Sequence, residues 1–275
     1  MRKTHGRDEI IRCSVTQRAC HGIEFFSALV CAMGRSRLGS FLRCIGTVFG
    51  SILPGSCALC HGDSQHALCA ACSIQFLANA PARCEICGRR MPHLHAKICG
   101  VCLRALPAFD ATVVACDYAA PSDLLVQDLK FRSCLPLAES FGQVLARVMQ
   151  RQLTNTPDII IPVPLSAARL AQRGFNQASE IARSVSRHTD IPLRVQMCVR
   201  VRDTQPQAGL PLNERRVNMR GAFALPLGAS VQNRHVLLVD DVMTTGHTLN
   251  ELAACLKRHG ARRVTNAVFA RTPEK

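Results

Sequence analysis

Eight of the chain's 16 cysteines fall into four Cys-x-x-Cys pairs within one short segment: Cys57/Cys60, Cys69/Cys72, Cys84/Cys87 and Cys99/Cys102. A Cys-x-x-Cys turn presents two thiolates on one side of a tight knuckle, and two knuckles complete a tetrahedral four-cysteine zinc site. A segment with this spacing folds around metal more than around an aliphatic core. The short linkers from Cys60 to Cys69 and from Cys87 to Cys99 suit one ribbon hairpin in each half. They favour two structural Zn2+ ions bound sequentially, by Cys57/Cys60/Cys69/Cys72 and by Cys84/Cys87/Cys99/Cys102. Interleaved pairing uses the same ligands, and spacing leaves it open. Gly62 and Gly88 follow the first and third pairs, where a knuckle strains the backbone. A thioredoxin-type redox protein would carry one such pair at a helix start, not four in a block. His61, His66, His93 and His95 lie among the knuckles and read as surface residues, because eight thiols already complete two sites. Cys13, Cys20, Cys31, Cys44, Cys116, Cys134, Cys198 and Cys255 lack ligand spacing and read as small buried apolar residues.

The remainder of the 275 residues, 48% hydrophobic overall, can bury a full core. A formal charge of +15, from 34 Lys and Arg against 19 Asp and Glu, favours anionic partners such as nucleotides, pyrophosphate or nucleic acid. With no Trp and one Tyr, a stacking platform for single strands would depend on Phe. No apolar run approaches the roughly 18 residues of a membrane-spanning helix. The short apolar patch at 25–33 sits behind a segment containing Asp8, Glu9 and Glu24, a poor fit to a secretory signal. A cytoplasmic protein with reduced thiols and no membrane association is therefore expected.

Beyond residue 107 the cysteine pairs stop and strands alternate with helices. Residues 112–118 read as a buried strand and 137–153 as an amphipathic helix, with Phe141, Val144, Leu145, Val148 and Met149 on one face. Residues 158–164 form a β-branched run with a proline-rich exit, and 176–188 a helix with Ala178, Ile181, Ala182 and Val185 in register. A strand at 236–239 precedes a helix whose inner face carries Leu249, Leu252, Ala253 and Leu256, with Gly260 as its stop; 264–269 closes as a strand. This alternation predicts a parallel α/β sheet with ligands at the carboxyl ends of its strands.

The unusual residues cluster at those ends. The run Val236-Leu237-Leu238-Val239 ends in Asp240-Asp241, and Thr244-Thr245-Gly246 then opens a helix. Carboxylates beside a helix start rich in free N–H groups have the anatomy of a sugar-phosphate site. Two acids at a strand end also cap helices or pair with Arg, but the neighbouring segments favour the ligand reading. The other exit, Pro162-Val163-Pro164-Leu165-Ser166, leads to Arg169, Arg173, Gly174 and Asn176. Between the two exits, the polar stretch 200–210, running on to Glu214, Arg215, Arg216 and Asn218, reads as a lid.

Together these pieces resemble the ComF family, the ComFC/GntX-like, amidophosphoribosyltransferase-like proteins. The resemblance spans roughly residues 35–275. It rests on the cysteine block, Leu129-Lys130-Phe131-Arg132, Pro162-Val163-Pro164-Leu165, Arg173-Gly174-Phe175-Asn176-Gln177-Ala178, Arg202-Asp203-Thr204-Gln205-Pro206-Gln207, Glu214-Arg215-Arg216 with Asn218, Arg220-Gly221-Ala222-Phe223 and Val239-Asp240-Asp241-Val242-Met243-Thr244-Thr245-Gly246. It implies a type I phosphoribosyltransferase fold, a parallel sheet flanked by helices, preceded by a small double zinc ribbon. The implied domains are 54–107 and 108–275, behind a 1–53 extension. Residues 38–53 of that extension read as a short helix, and 1–33 as disordered or a misassigned start.

For the site, the resemblance implies that Asp240 and Asp241 hold the ribose hydroxyls of phosphoribosyl pyrophosphate (PRPP), directly or through Mg2+. Thr244, Thr245, Gly246 and Thr248 would wrap the 5-phosphate, within a PRPP segment that includes Met243 and His247. Val163, Pro164 and Leu165 would form the pyrophosphate loop with Arg169 and Arg173, while Lys130, Arg132 and Asn176 would close the site. The chain departs from the family at Ser133, where Gly is common. Two functions compete: a phosphoribosyltransferase linked to DNA uptake or nucleotide metabolism, and a non-catalytic accessory that binds single-stranded DNA or a helicase-like competence protein. A plain zinc-stabilised scaffold is a weaker third, and self-association is left open.

Overall fold

The computed structural model describes residues 55–77, 81–92, 96–202 and 221–273. The expected extension at 1–53 and most of the expected lid lie outside these residues. Residues 54–275 form one compact unit.

Its elements are β1 (Gly55–Ser56), β2 (Asp63–Ser64), α1 (Ala70–Leu77), α2 (Gly100–Arg104), β3 (Ala111–Asp117), α3 (Ser122–Phe131), α4 (Pro136–Gln152), β4 (Ile159–Pro162), α5 (Ala167–Arg173), α6 (Gln177–Thr189), β5 (Val199–Arg200), β6 (Phe223–Ala224), β7 (His235–Met243), α7 (His247–Arg258) and β8 (Arg263–Arg271). The central sheet has strand order β3-β8-β7-β4 and is parallel throughout. Ile160 lies opposite Leu237, and Leu237 opposite Thr265. On the β4 edge, Ile160 N–H donates to the Pro192 carbonyl and Arg194 N–H to the Ile160 carbonyl, both at 2.8 Å, so a one-residue bridge at Leu193 extends the sheet.

Each strand sends alternate residues to opposite faces, and each face has its own core. Leu237, Val239, Ala267 and Phe269 pack beneath α4 and α6, whereas Val236, Leu238, Val264 and Val268 pack beneath α7. The inward residues expected of all three helices are buried. Phe141 stacks on Phe269 with centroids 3.5 Å apart. Helices α4 and α6 approach so closely at Gly142 that a Cβ there would lie 2.3 Å from the Ser184 side chain.

The cysteine block divides between these cores. Cys57 and Cys72 join the α4/α6 core, and Cys84, Cys87, Cys99 and Cys102 join the α7 core. The second half docks on the edge strand β3. Thr112 N–H donates to the Glu85 carbonyl at 2.9 Å. Gly88, at φ +69°, lies so close that an added Cβ would meet Val114 Cγ2 at 2.5 Å. Arg83 pairs with the Asp117 carboxylate at 2.8 Å, and Arg90 pairs with its other oxygen. The knuckles thus cover an edge strand that would otherwise expose unpaired backbone groups.

Candidate functional site

The acidic strand runs further than the apolar pattern suggested. β7 continues through both carboxylates to Met243, because β8 pairs with it to the end: Asp240 lies opposite Val268 and Met243 opposite Arg271. Adjacent strand residues point to opposite faces, so the two acids diverge. Asp241 is buried and Asp240 half-buried, and Asp241 N–H donates to Asp240 Oδ1 at 2.9 Å. Lys130, from the last turn of α3, places Nζ 3.0 Å from Asp241 Oδ2. Burial, and then the neighbouring Asp241 charge, push the Asp240 carboxyl up to about 8, although Lys130 offsets part of the effect. The strand exit thus carries two adjacent carboxylates, one of them paired with Lys130.

After Met243 the chain turns into α7. Thr244 and Thr245 are exposed, Gly246 is buried, and His247 and Thr248 are half-buried in the first turn. Gly246 sits at φ +82°, a conformation that favours glycine; a Cβ there would meet the mobile end of the Met243 side chain, Cε, at 2.5 Å. The first N–H groups of this 12-residue helix lack intrahelical partners, and such groups attract anions. Met243 is buried beneath the loop and supports it from the core. Beside the loop a cavity of about 340 Å³ opens, with Thr245, Gly246 and His247 on one wall and Cys87, Arg89 and Phe109 on another.

The neighbouring strand supplies the second loop. Val163 N–H donates to the Val239 carbonyl at 2.9 Å, which carries Val163, Pro164 and Leu165 alongside the acidic strand. Asn176 Nδ2 donates to the Val163 carbonyl at 3.0 Å, while Asn176 Oδ1 accepts the Ala178 N–H and caps α6. Its two visible bonds therefore hold the turn in place. Ser166 caps α5 by accepting the Arg169 N–H. Arg173 stacks its guanidinium 5.5 Å from the Phe131 ring centroid and donates to Gln177 Oε1 at 3.1 Å. Arg132 diverges from Lys130: it pairs with Asp128 at 3.1 Å, and its side chain is 68% exposed. Ser133, the departure from the family, sits at φ +54°, the conformation a glycine would adopt freely.

One residue of this site escaped the sequence reading. Arg271 closes strand β8 and is 4% exposed. Its Nε donates to the Cys87 carbonyl at 3.2 Å; its Nη1 reaches the carbonyls of Met243 at 3.2 Å, Thr272 at 3.1 Å and also Thr244. Nothing in the strand's pattern, which also holds Arg263, Thr265 and Asn266, marks it in the sequence.

The eight thiols gather as Cys57/Cys60/Cys69/Cys72 and Cys84/Cys87/Cys99/Cys102, with the sulfurs of each group within 4.8 Å of one another. Cys60 and Cys69 Sγ are 3.8 Å apart, and Cys87 and Cys99 Sγ 3.6 Å. A tetrahedron with metal–sulfur bonds of about 2.3 Å has an edge of about 3.8 Å, so the thiol sets fit zinc. Backbone N–H groups point at the sulfurs, from Cys69 to Cys57 at 3.4 Å and from Cys99 to Cys84 at 3.3 Å. Burial raises the Cys57 thiol, but N–H groups from Cys60, Cys69 and Leu59 outweigh it and hold it at about 6. Burial and its neighbours push Cys72 up to about 12. His61 and His66 are exposed, and Cys116, Cys198 and Cys255 are buried, as expected, whereas Cys134 is only half-buried; His93, His95, Cys13, Cys20, Cys31 and Cys44 lie outside the described residues.

A parallel sheet with an acidic strand exit, an anion loop and a thiol-rich ribbon defines a type I phosphoribosyltransferase fold joined to a double zinc ribbon. The phosphoribosyl transferase domain family matches residues 139–275, and the double zinc ribbon domain family matches residues 48–117. The chain is 34% identical over 216 residues to competence protein F of Haemophilus influenzae, covering 76% of this chain and 93% of that protein. It is 35% identical over 227 residues to DNA utilization protein YhgH of Escherichia coli O157:H7, covering 80% and 98% respectively. Competence protein ComFC of Bacillus subtilis is 28% identical over 131 residues, covering 48% of this chain and 51% of that protein. The chain belongs to the ComF family.

Proposed function

We propose that this chain binds PRPP with Mg2+ at the carboxyl end of β7 and transfers its phosphoribosyl group, in the service of DNA uptake or nucleotide metabolism. The observation that carries the reading is continuous in the chain: Asp240 and Asp241 close a parallel strand, and the Gly246 turn opens a helix N-terminus directly beyond them. Asp240 and Asp241 hold the ribose hydroxyls and the cation. The N–H groups at 244–248 take the 5-phosphate. The turn at Val163, Pro164 and Leu165 faces the pyrophosphate, with Arg169 and Arg173 on the adjoining helix as its cationic partners. Lys130 begins on Asp241 and is free to move to the ligand's phosphates once the cation replaces it. Bound Mg2+ supplies charge that makes pyrophosphate a better leaving group. The carboxylates tolerate the positive charge that develops on the ribose as the bond at C1 breaks. Zn2+ in the two thiol quartets holds the ribbon on both faces of the sheet.

Pyrophosphate release from PRPP across a panel of bases and amines tests the reading. Release by the wild type and its loss in an Asp240→Asn/Asp241→Asn variant support it.

A second reading draws on the charge of +15 and on relatives named for competence and DNA utilization. In it the chain is a non-catalytic accessory that binds single-stranded DNA or a helicase-like partner through its basic surface. Salt-dependent DNA binding that survives the double substitution, without pyrophosphate release, favours this alternative.

A further inference from the structure

Arg271 is a buried cation whose bonds join three parts of the molecule. Its Nε holds the carbonyl of Cys87 in the second thiol quartet, and its Nη1 holds the carbonyls of Met243 and Thr244, where the acidic strand becomes the anion loop. The Thr272 N–H adds a second donor to the Met243 carbonyl at 3.0 Å.

A trans peptide places its C=O and N–H on opposite sides of one plane. Turning the Met243 carbonyl toward Arg271 therefore turns the Thr244 N–H away from it, and turning the Thr244 carbonyl does the same for the Thr245 N–H. Both donors therefore point away from the buried guanidinium. Without the guanidinium, the Met243 carbonyl would keep only the Thr272 N–H and the Thr244 carbonyl would lose this donor, so the Thr244–Thr245 peptide plane would be held less firmly. A lysine cannot replace it, because a single ammonium on a flexible stem cannot serve both the loop carbonyls held by Nη1 and the Cys87 carbonyl held by Nε, so the link between loop and knuckle is lost.

We infer that Arg271 is the positioning residue of the anion site: it presets the Thr244 and Thr245 N–H groups for a sugar 5-phosphate and braces that loop against the Cys87 knuckle. This rests on the phosphate-loop part of the reading above. It adds that the loop is preorganised from beneath, by a residue that touches no ligand, and that the ribbon provides the abutment.

Calorimetric titration of wild type and Arg271→Lys with ribose 5-phosphate, and separately with Mg2+ pyrophosphate, tests the assignment. The first ligand reads the 244–248 loop and the second reads the Val163–Leu165 turn. The variant should bind ribose 5-phosphate about ten-fold more weakly, as expected when charged-ligand hydrogen bonds lose their alignment, and pyrophosphate with unchanged affinity. Equal loss of both ligands, or loss of neither, overturns the inference. Wild type that binds neither ligand overturns the phosphate-site reading itself, a distinguishable failure. Should the variant not fold, amide NMR of the wild type decides: ribose 5-phosphate should move the Thr244 and Thr245 N–H resonances strongly downfield. Unmoved resonances refute the assignment.

Discussion

Substituting Gly88 by alanine should loosen the second ribbon half from the sheet. Gly88 lies at φ +69°, and a Cβ would stand 2.5 Å from Val114 Cγ2 and 3.2 Å from Thr112 Cγ2. Left-handed backbone costs a non-glycine residue about 1–2 kcal/mol, and overpacking against a buried strand costs about 1–3 kcal/mol. The lower unfolded-state entropy of alanine returns about 0.5–1 kcal/mol, for a net loss of about 1–4.5 kcal/mol. In a unit of this size each kcal/mol lowers Tm by about 2–4 °C, so calorimetry should show a fall of about 2–18 °C. Val114→Ala removes the nearer clashing methyl, and the double variant should recover part of the loss as a favourable coupling energy. The metal content should be measured alongside, to separate loosening from zinc loss. A Gly88→Ala protein that melts within a degree of wild type would refute the close docking of knuckle on strand.

At Ser133, held at φ +54°, glycine should stabilise by about 0.5–1 kcal/mol, the left-handed penalty relieved less the entropy glycine adds to the unfolded chain; urea unfolding reads the difference. Glu139 couples α4 to α6 through His188 and Arg187. Partial burial raises its carboxyl, but hydrogen bonds from His188 and Arg187 outweigh this and lower it. A depressed carboxyl contributes stability above its unfolded pKa and loses it as pH falls toward the lowered value. Glu139→Gln should therefore flatten the acid limb of a stability-versus-pH curve, and an unchanged limb would count against the link. Zinc removal should be drastic. Mercurial titration should release two equivalents from the two thiol quartets, and the stripped chain should lose its cooperative melt, since structural zinc contributes on the order of 10 kcal/mol.

Period and punctuation made the helices and the parallel sheet legible. The faces of α4, α6 and α7 follow from apolar spacing alone, because each packs against one side of the sheet. The end of β7 was less legible. An apolar pattern stops at Val239, whereas pairing with β8 carries the strand on to Met243. Hydrogen bonding across the sheet does not depend on side-chain polarity, so two acids did not end the strand. Lys130 and Arg132 looked equivalent in sequence, but one reaches Asp241 and the other closes a local pair with Asp128. Asn176 sat in a site motif, and the structure shows it capping a helix and holding the Val163 turn. Arg271 was beyond sequence reasoning, because its partner Cys87 lies 184 residues away. A buried cation serving backbone carbonyls leaves no periodic trace.

The central claim is that the carboxyl end of β7 is a PRPP site, and calorimetric titration of PRPP in the presence of Mg2+ tests it most directly. Wild type should bind with one-to-one stoichiometry and lose most of its affinity when Mg2+ is withdrawn. In the Asp240→Asn/Asp241→Asn variant, affinity should fall by about ten-fold or more, the effect of removing charged ligands from a cation site. Absence of binding by zinc-loaded wild type, or equal binding by the double variant, would contradict the account.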